Sequence, residues 1–216
     1  MKRLKIAVLI SGRGSNMEAL IEAAAADDYP ARIVAVISNR PGAPGLKRAE
    51  AAGIPTQVID HTAFAGRDVF ENELNDALRT AKAELVCLAG FLRLLTPDFV
   101  SRWRNRLLNI HPSLLPAFKG LHTHDRALEA GVRFSGCTVH FVRPEMDDGP
   151  IVVQAAVPVW PDDTPERLAA RILKVEHKIY PLAVRLVAEG RVRVAGNHVV
   201  IKGVDFEDTA LVNPRP

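Results

Sequence analysis

The sequence predicts an α/β fold: a single domain with a mainly parallel central sheet flanked by helices, and antiparallel strands in its C-terminal part. Three observations carry this expectation. Short continuous apolar runs, as strands buried on both faces require, alternate with longer stretches of helical spacing. The first run leads through a glycine-rich turn into an Ala-rich helix and a second run, which makes a β-α-β unit with a parallel pair. Beyond the fifth such run the pattern changes to alternating or apolar strands joined by turn residues.

Each element follows in order. Leu4 to Ile10 is apolar apart from Lys5, Asn16 to Ala26 reads as a helix, and Arg32 to Ser38 is again β-branched and apolar. Leu46 to Ala52 supplies a short helix, Thr56 to Ile59 a short strand, and Arg67 to Lys82 a longer helix with apolar positions at helical spacing. Leu85 to Ala89 is the next buried strand and runs into Gly90-Phe91-Leu92-Arg93-Leu94-Leu95-Thr96-Pro97. A short helix from Pro97 to Trp103 leads to the strand Leu107 to Ile110, and another helix spans His124 to Ala130. Gly136 to Val142 and Ile151 to Val159 are strands joined by Pro144-Glu145-Met146-Asp147-Asp148-Gly149-Pro150. The helix from Pro165 to about Glu189 is the longest, Gly190 to Ile201 holds a hairpin signal at Ala195-Gly196-Asn197, and the final fifteen residues read as a loose tail. No repeat or low-complexity linker suggests a domain boundary, so one domain over 1–216 is expected.

Composition narrows the function. Hydrophobic residues make up 48% of 216, enough for a sizeable core. The net charge of +3 with only short basic groups, such as Arg102 to Arg106, fits a small anionic ligand better than a nucleic-acid groove. At 6% aromatic content, little is available for stacking bases. Cys87 and Cys137 sit inside apolar runs, which suits buried thiols in a reducing compartment rather than a disulfide or zinc site. Ser11-Gly12-Arg13-Gly14 breaks the N-terminal apolar run after seven residues, so neither a signal peptide nor a membrane span is expected. A cytoplasmic protein is the expectation.

Gly12-Arg13-Gly14-Ser15-Asn16 lies between strand and helix, where free N–H groups and the positive helix end favour a phosphate. A dinucleotide site would want a third glycine at position 17, which is Met17, and an acidic residue where the chain has Ser38-Asn39-Arg40. A monophosphate fits better. The same glycines also suit a plain tight turn with Asn16 capping the helix.

The segment Asn109-Ile110-His111-Pro112-Ser113-Leu114-Leu115-Pro116 ends an apolar run in an amide, an imidazole and two prolines. Asn109 and His111 lie two apart on an extended chain and so share a face, where a donor and a titratable ring can stabilise an oxyanion while moving a proton. Core packing of the histidine, with the prolines ending a strand, is the competing account. In open parallel sheets ligands bind at the carboxyl ends of strands, so this segment and the one after Ala89 aim at one crevice.

Taken together, G-R-G-S-N at 12–16, A-G-F-L-R-L-L-T-P at 89–97, N-I-H-P-S-L-L-P at 109–116, G-L-H-T-H at 120–124 and M-D-D-G-P at 146–150 resemble the folate-dependent formyltransferases. The resemblance runs from about Leu4 to Pro181. It implies a Rossmann-like domain that transfers a formyl group from 10-formyltetrahydrofolate, as co-substrate, to the amine of glycinamide ribonucleotide in purine biosynthesis. It implies Asn109, His111 and Asp147 as the catalytic trio, and Gly14, Ser15 and Asn16 as the substrate-phosphate loop. Leu173, Lys174, Val175 and Glu176 match a second substrate contact, with Glu176 holding the glycinamide end. Arg67, Leu92, Arg93, Leu94, Leu95, Asn109 and the loop Arg143, Pro144, Glu145, Met146 and Asp147 match the folate site. The phosphate half is then about 1–100, the folate-binding and catalytic half about 101–216. No metal, nucleic acid or membrane is called for, and the protein is expected as a monomer or homodimer.

The chemistry agrees with that assignment. Transfer to an amine passes through a tetrahedral carbon bearing an oxyanion, which Asn109 can meet without titrating and His111 as imidazolium. A carboxylate beside His111 favours the charged ring, and Asp147 is its candidate. Ser113 lacks a Gly-x-Ser-x-Gly elbow and is poorly placed to bond the His111 ring, which argues against a hydrolase triad. His122, His124 and Asp125 lack further metal ligands and instead shape the site entrance or cap the following helix. His140 reads as packed or hydrogen-bonded, and His177 as an anchor of the long helix. Asp148 departs from the small residue familiar in the family. Members that formylate a charged tRNA or hydrolyse formyltetrahydrofolate share the Asn-His-Asp chemistry but carry an extra domain, for which 216 residues leave no room. The rival from another class is a non-catalytic nucleotide-binding module.

Overall fold

The structure is a computed structural model and describes residues 2–204 and 211–213. The chain opens with β1 (Leu4–Ile10), α1 (Ser15–Ala25), β2 (Ala31–Ser38), α2 (Pro44–Ala51) and β3 (Thr56–Val58). A 3-10 turn at His61–Ala63, not anticipated from the sequence, leads to α3 (Arg67–Thr80), β4 (Leu85–Leu88), α4 (Pro97–Arg102) and β5 (Leu107–His111). There follow α5 (Thr123–Glu129), β6 (Phe134–Phe141), β7 (Ile151–Pro158), α6 (Pro165–Ala188), β8 (Val192–Ala195) and β9 (His198–Ile201). Helix and strand ends differ from expectation by one or two residues, as frayed ends do.

Among the described residues the main sheet has seven strands in the order β3-β2-β1-β4-β5-β6-β7, and β8 and β9 form a separate two-stranded sheet. The first five strands run parallel, while β6 and β7 are antiparallel, as the change in pattern predicts. Alternation along β1 explains the layers: Ile6, Val8 and Ile10 face one core with α1, α2, α5 and α6, whereas Ala7 and Leu9 face a second core with α3 and α4. Both faces are covered, so β4 is apolar throughout and β1 apart from Lys5.

The order reverses between β1 and β4, which places a crevice at the carboxyl ends of those two strands. From the long helix the buried Tyr180 hydroxyl reaches the sheet beside that crevice, meeting the carbonyls of Leu88 at 3.0 Å and Leu108 at 3.3 Å. The expected hairpin turn forms at Gly196, with φ 62. Of the expected loose tail, residues 205–210 and 214–216 lie outside the described residues; within it, Asn213 Nδ2 donates to Arg133 O at 2.6 Å.

Candidate active site

Asn109 and His111 stand on one face of β5, and the antiparallel register sets Asn109 opposite His140 and His111 opposite Thr138. The β6–β7 loop folds back over this face. It can do so because Gly149 has no side chain: a Cβ there would lie 1.6 Å from Phe141 O. Asp147 at its tip, with φ 52, brings Oδ2 to 3.4 Å from His111 Nδ1. The same oxygen accepts from Gly120 N at 2.8 Å, and Lys119 pairs with Asp148, so two contacts tie this loop to 119–120. Asp148 therefore points outward to an exposed lysine rather than into the cleft.

The ring nitrogens can be assigned. His111 Nε2 lies 3.0 Å from Phe118 O, and a carbonyl only accepts, so Nε2 carries a proton and Nδ1 faces the carboxylate. His140 Nδ1 likewise donates to Phe141 O at 3.1 Å, leaving Nε2 to accept from Asn109 Nδ2 at 3.3 Å. Burial pushes the His140 pKa down to about 4, so this ring is neutral at ordinary pH. Its 3.8 Å approach to Asp147 is accordingly no ion pair. One hydrogen of the Asn109 amide is held by His140, and the other has no partner among the described residues. Hydrogen bonding is indeed what His140 does, yet its bond to a site residue was not legible, because it depends on the strand register and not on local spacing.

Ahead of α1, Gly14 takes the left-handed conformation at φ 72, and the first intrahelical bond runs from Glu18 N to Gly14 O. The amides of Ser15, Asn16 and Met17 precede that bond and point out of the helix end. Asn16 does not cap the helix; its Nδ2 donates to Glu176 Oε2 at 2.7 Å, and its buried Oδ1 has no partner among the described residues. Glu176 is buried, and burial raises its pKa, a shift that the Asn16 hydrogen bond opposes. The Gly14–Asn16 loop and the long helix are thus joined. Leu173 shares the Glu176 face one turn earlier, Val175 packs on the core, and Lys174 is exposed on the far side.

The expected folate residues divide in the same way. Leu92 and Leu94 are each 61% exposed and Met146 50%, an apolar rim in a molecule that buries most large side chains. Arg93 is half-buried, and Leu95 packs beneath against the second core. Pro144 and Glu145 are exposed on the Asp147 loop. Arg143 turns away: its guanidinium donates to Asn105 Oδ1 at 2.7 Å and to Val142 O at 3.0 Å, at the opposite end of β5. Arg67 is exposed at the start of α3, whose Glu71 accepts from Thr96 N at 2.9 Å and so binds that helix to the 92–95 segment.

Other histidines differ from expectation. His122 occupies the position before α5 with φ 55 but makes no side-chain cap. His124 Nδ1 and His177 Nε2 are buried without hydrogen-bond partners among the described residues. Burial depresses the His124 pKa, a shift that the neighbouring Asp125 carboxylate opposes. Among the described residues, no group of three His, Cys, Asp or Glu side chains is arranged to hold a metal ion, and no helix is long and apolar enough to cross a membrane.

Comparison with known proteins accords with this geometry. A family model described as formyl transferase matches residues 4–184. The chain is 45% identical to the phosphoribosylglycinamide formyltransferase of Haemophilus influenzae over 97% of its own length and 99% of that protein's. It is 51% identical to the trifunctional purine biosynthetic protein adenosine-3 of Gallus gallus over 89% of its length, but spans only 19% of that longer protein. The solved glycinamide ribonucleotide transformylase 1 of Symbiobacterium toebii superposes with a TM-score of 0.90 at 48% identity, covering 92% of this chain and 94% of that one. On the strength of the match over 4–184, the chain belongs to the formyl transferase family.

Proposed function

We propose that the chain transfers a formyl group from 10-formyltetrahydrofolate to the amine of glycinamide ribonucleotide, a step of purine biosynthesis. The observation that carries this reading is the meeting of His111 and Asp147 beside Asn109 at the carboxyl end of β5, on the same edge of the parallel sheet at which β1 ends ahead of the Gly14–Asn16 loop, itself bonded to Glu176. An anchored phosphate at that loop and a carboxylate near the amine would present the nucleophile to a formyl carbon beside Asn109. Relatives named for this activity match nearly the whole chain, which supports the choice of acceptor.

The residues then take the following roles. As the amine nitrogen bonds to the formyl carbon, the carbonyl electron pair moves onto oxygen, and the free Asn109 N–H and the His111 Nε2–H are the donors that meet it. The His111 donor exchanges Phe118 O for the oxyanion. Asp147, whose Oδ2 faces Nδ1, takes up the proton that leaves the amine and shares it with the ring. Collapse breaks the bond to the folate nitrogen, which receives that proton, so no covalent enzyme intermediate is required. Gly14, Ser15, Asn16, Leu173 and Glu176 serve the nucleotide; Arg67, Leu92 to Leu95 and Arg143 to Met146 serve the folate, Arg143 through its backbone. One domain carries both sites, the phosphate loop within about 1–100 and most folate and catalytic residues within about 101–216. A reducing cytoplasm suits the free, buried Cys87 and Cys137.

Kinetics of His111→Ala and Asp147→Asn test the assignment. Each should lower kcat by about a hundredfold to a thousandfold, with nucleotide affinity by titration calorimetry close to wild type. Wild-type turnover in both variants contradicts it.

A further inference from the structure

Ser11, between β1 and the phosphate loop, is the junction of three strand ends. Its backbone N–H donates to Gly90 O at 3.1 Å, its hydroxyl accepts from Leu92 N at 2.8 Å, and the same hydroxyl donates to Asn39 Oδ1 at 2.5 Å. Asn39, just beyond β2, returns its own N–H to Ile10 O at 3.4 Å. Both side chains are buried, Ser11 at 4% exposure and Asn39 at 1%. A hydroxyl has one hydrogen, and here Asn39 takes it, so the lone pair toward Leu92 is held in a fixed direction. His61 Nδ1 lies 2.9 Å from Asn39 O and 3.2 Å from Asn39 Nδ2, which braces Asn39 from outside the sheet.

The exposed Leu92 and Leu94 side chains thus belong to a segment pinned at both ends, by Ser11 at Leu92 N and by Glu71 at Thr96 N. Resting on the functional reading above, we propose that Ser11 and Asn39 are positioning residues: they set the distance between the 91–95 segment and the phosphate loop, and with it the spacing of formyl donor and acceptor amine. A polar network buried at a topological switch point costs stability unless fully paired, and this one links the two segments that the two ligands touch.

Steady-state kinetics on the full chain read the proposal. Ser11→Ala should raise the KM for 10-formyltetrahydrofolate about tenfold, the loss of one buried hydrogen bond, while the KM for glycinamide ribonucleotide stays within about twofold. Asn39→Ala, which removes the acceptor orienting Ser11 together with the amide contact to His61 but leaves the Ser11 hydroxyl in place, should shift the same constant in the same direction by less. A merely structural role would move both constants together, or neither, and either result overturns the proposal. Amide hydrogen exchange on the wild-type protein is independent of whether the variants fold: Leu92 N–H should exchange more slowly than Leu94 N–H, and equal rates overturn the tie. Absence of formyl transfer by the wild-type protein removes the functional reading and this one with it; transfer with an unchanged folate KM in Ser11→Ala removes this one alone.

Discussion

His140 shows how a residue can be read correctly from sequence and still have its role missed. Alternation with Val139 and Phe141 marks it as packed, which it is, at 2% exposure. Only the β5–β6 register puts its lone pair on Asn109. Burial holds its pKa near 4 instead of 6.5, and the sign of the consequence is definite. An unfolded chain takes up a proton near the ordinary value and the folded one does not. The stabilisation is therefore complete above pH 6.5 and lost as pH falls towards about 4, at up to ~1.4 kcal/mol per pH unit. In denaturant titrations at about pH 7 and about pH 5, the wild type should lose more stability than His140→Gln, which does not titrate. An identical loss in both contradicts this account of the ring. Asn109, His111 and Asp147 were legible because two of them share a strand face and the third sits in a motif; Ser11 and Asn39 were not, since nothing local distinguishes a buried hydroxyl from a turn residue.

At the scale of elements, the apolar runs predicted the strands well, because a strand covered on both faces has no polar positions to disguise it. The 3-10 turn at His61–Ala63 escaped notice: its one strong signal is Asp60 Oδ1 accepting from Thr62 N at 2.9 Å, a contact that many short loops share. The β6–β7 loop is the element on which the proposed chemistry most depends, and its shape rests on one glycine. Gly149→Ala puts a methyl group against Phe141 O, so the loop must move and Asp147 with it. We expect this variant to lose about tenfold or more in kcat while nucleotide affinity, which the proposed function assigns to Asn16 and Glu176, is retained. Crystallography of the variant with Asp147 still beside His111 would contradict that. Gly14 makes a poorer probe of the phosphate site, since a Cβ there meets Gly45 Cα at 3.3 Å at a positive φ and would disturb the turn itself. Whether the glycines bind or merely turn was open from sequence, and the geometry shows that they do at least the second.

Across the whole molecule, strand order unites these parts. The reversal between β1 and β4 opens the crevice, β5 lines it, and the long helix returns from the far end of the chain to deliver Glu176 to Asn16. No reading of local spacing gives that last contact, which spans 160 positions of sequence; the resemblance offered Glu176 only as a substrate contact, and its bond to Asn16 emerges from the fold alone. Arg143 marks the limit of such transfer, because its side chain faces Asn105, away from the histidines. The central claim is that one crevice holds a formyl donor and a ribonucleotide amine together, and one measurement tests it most directly. The purified chain is incubated with 10-formyltetrahydrofolate, with and without glycinamide ribonucleotide, and the consumption of donor and the formylation of the nucleotide are followed together. Donor loss that requires the nucleotide and equals its formylation is the predicted result; loss that ignores the nucleotide, or no loss at all, would contradict the account.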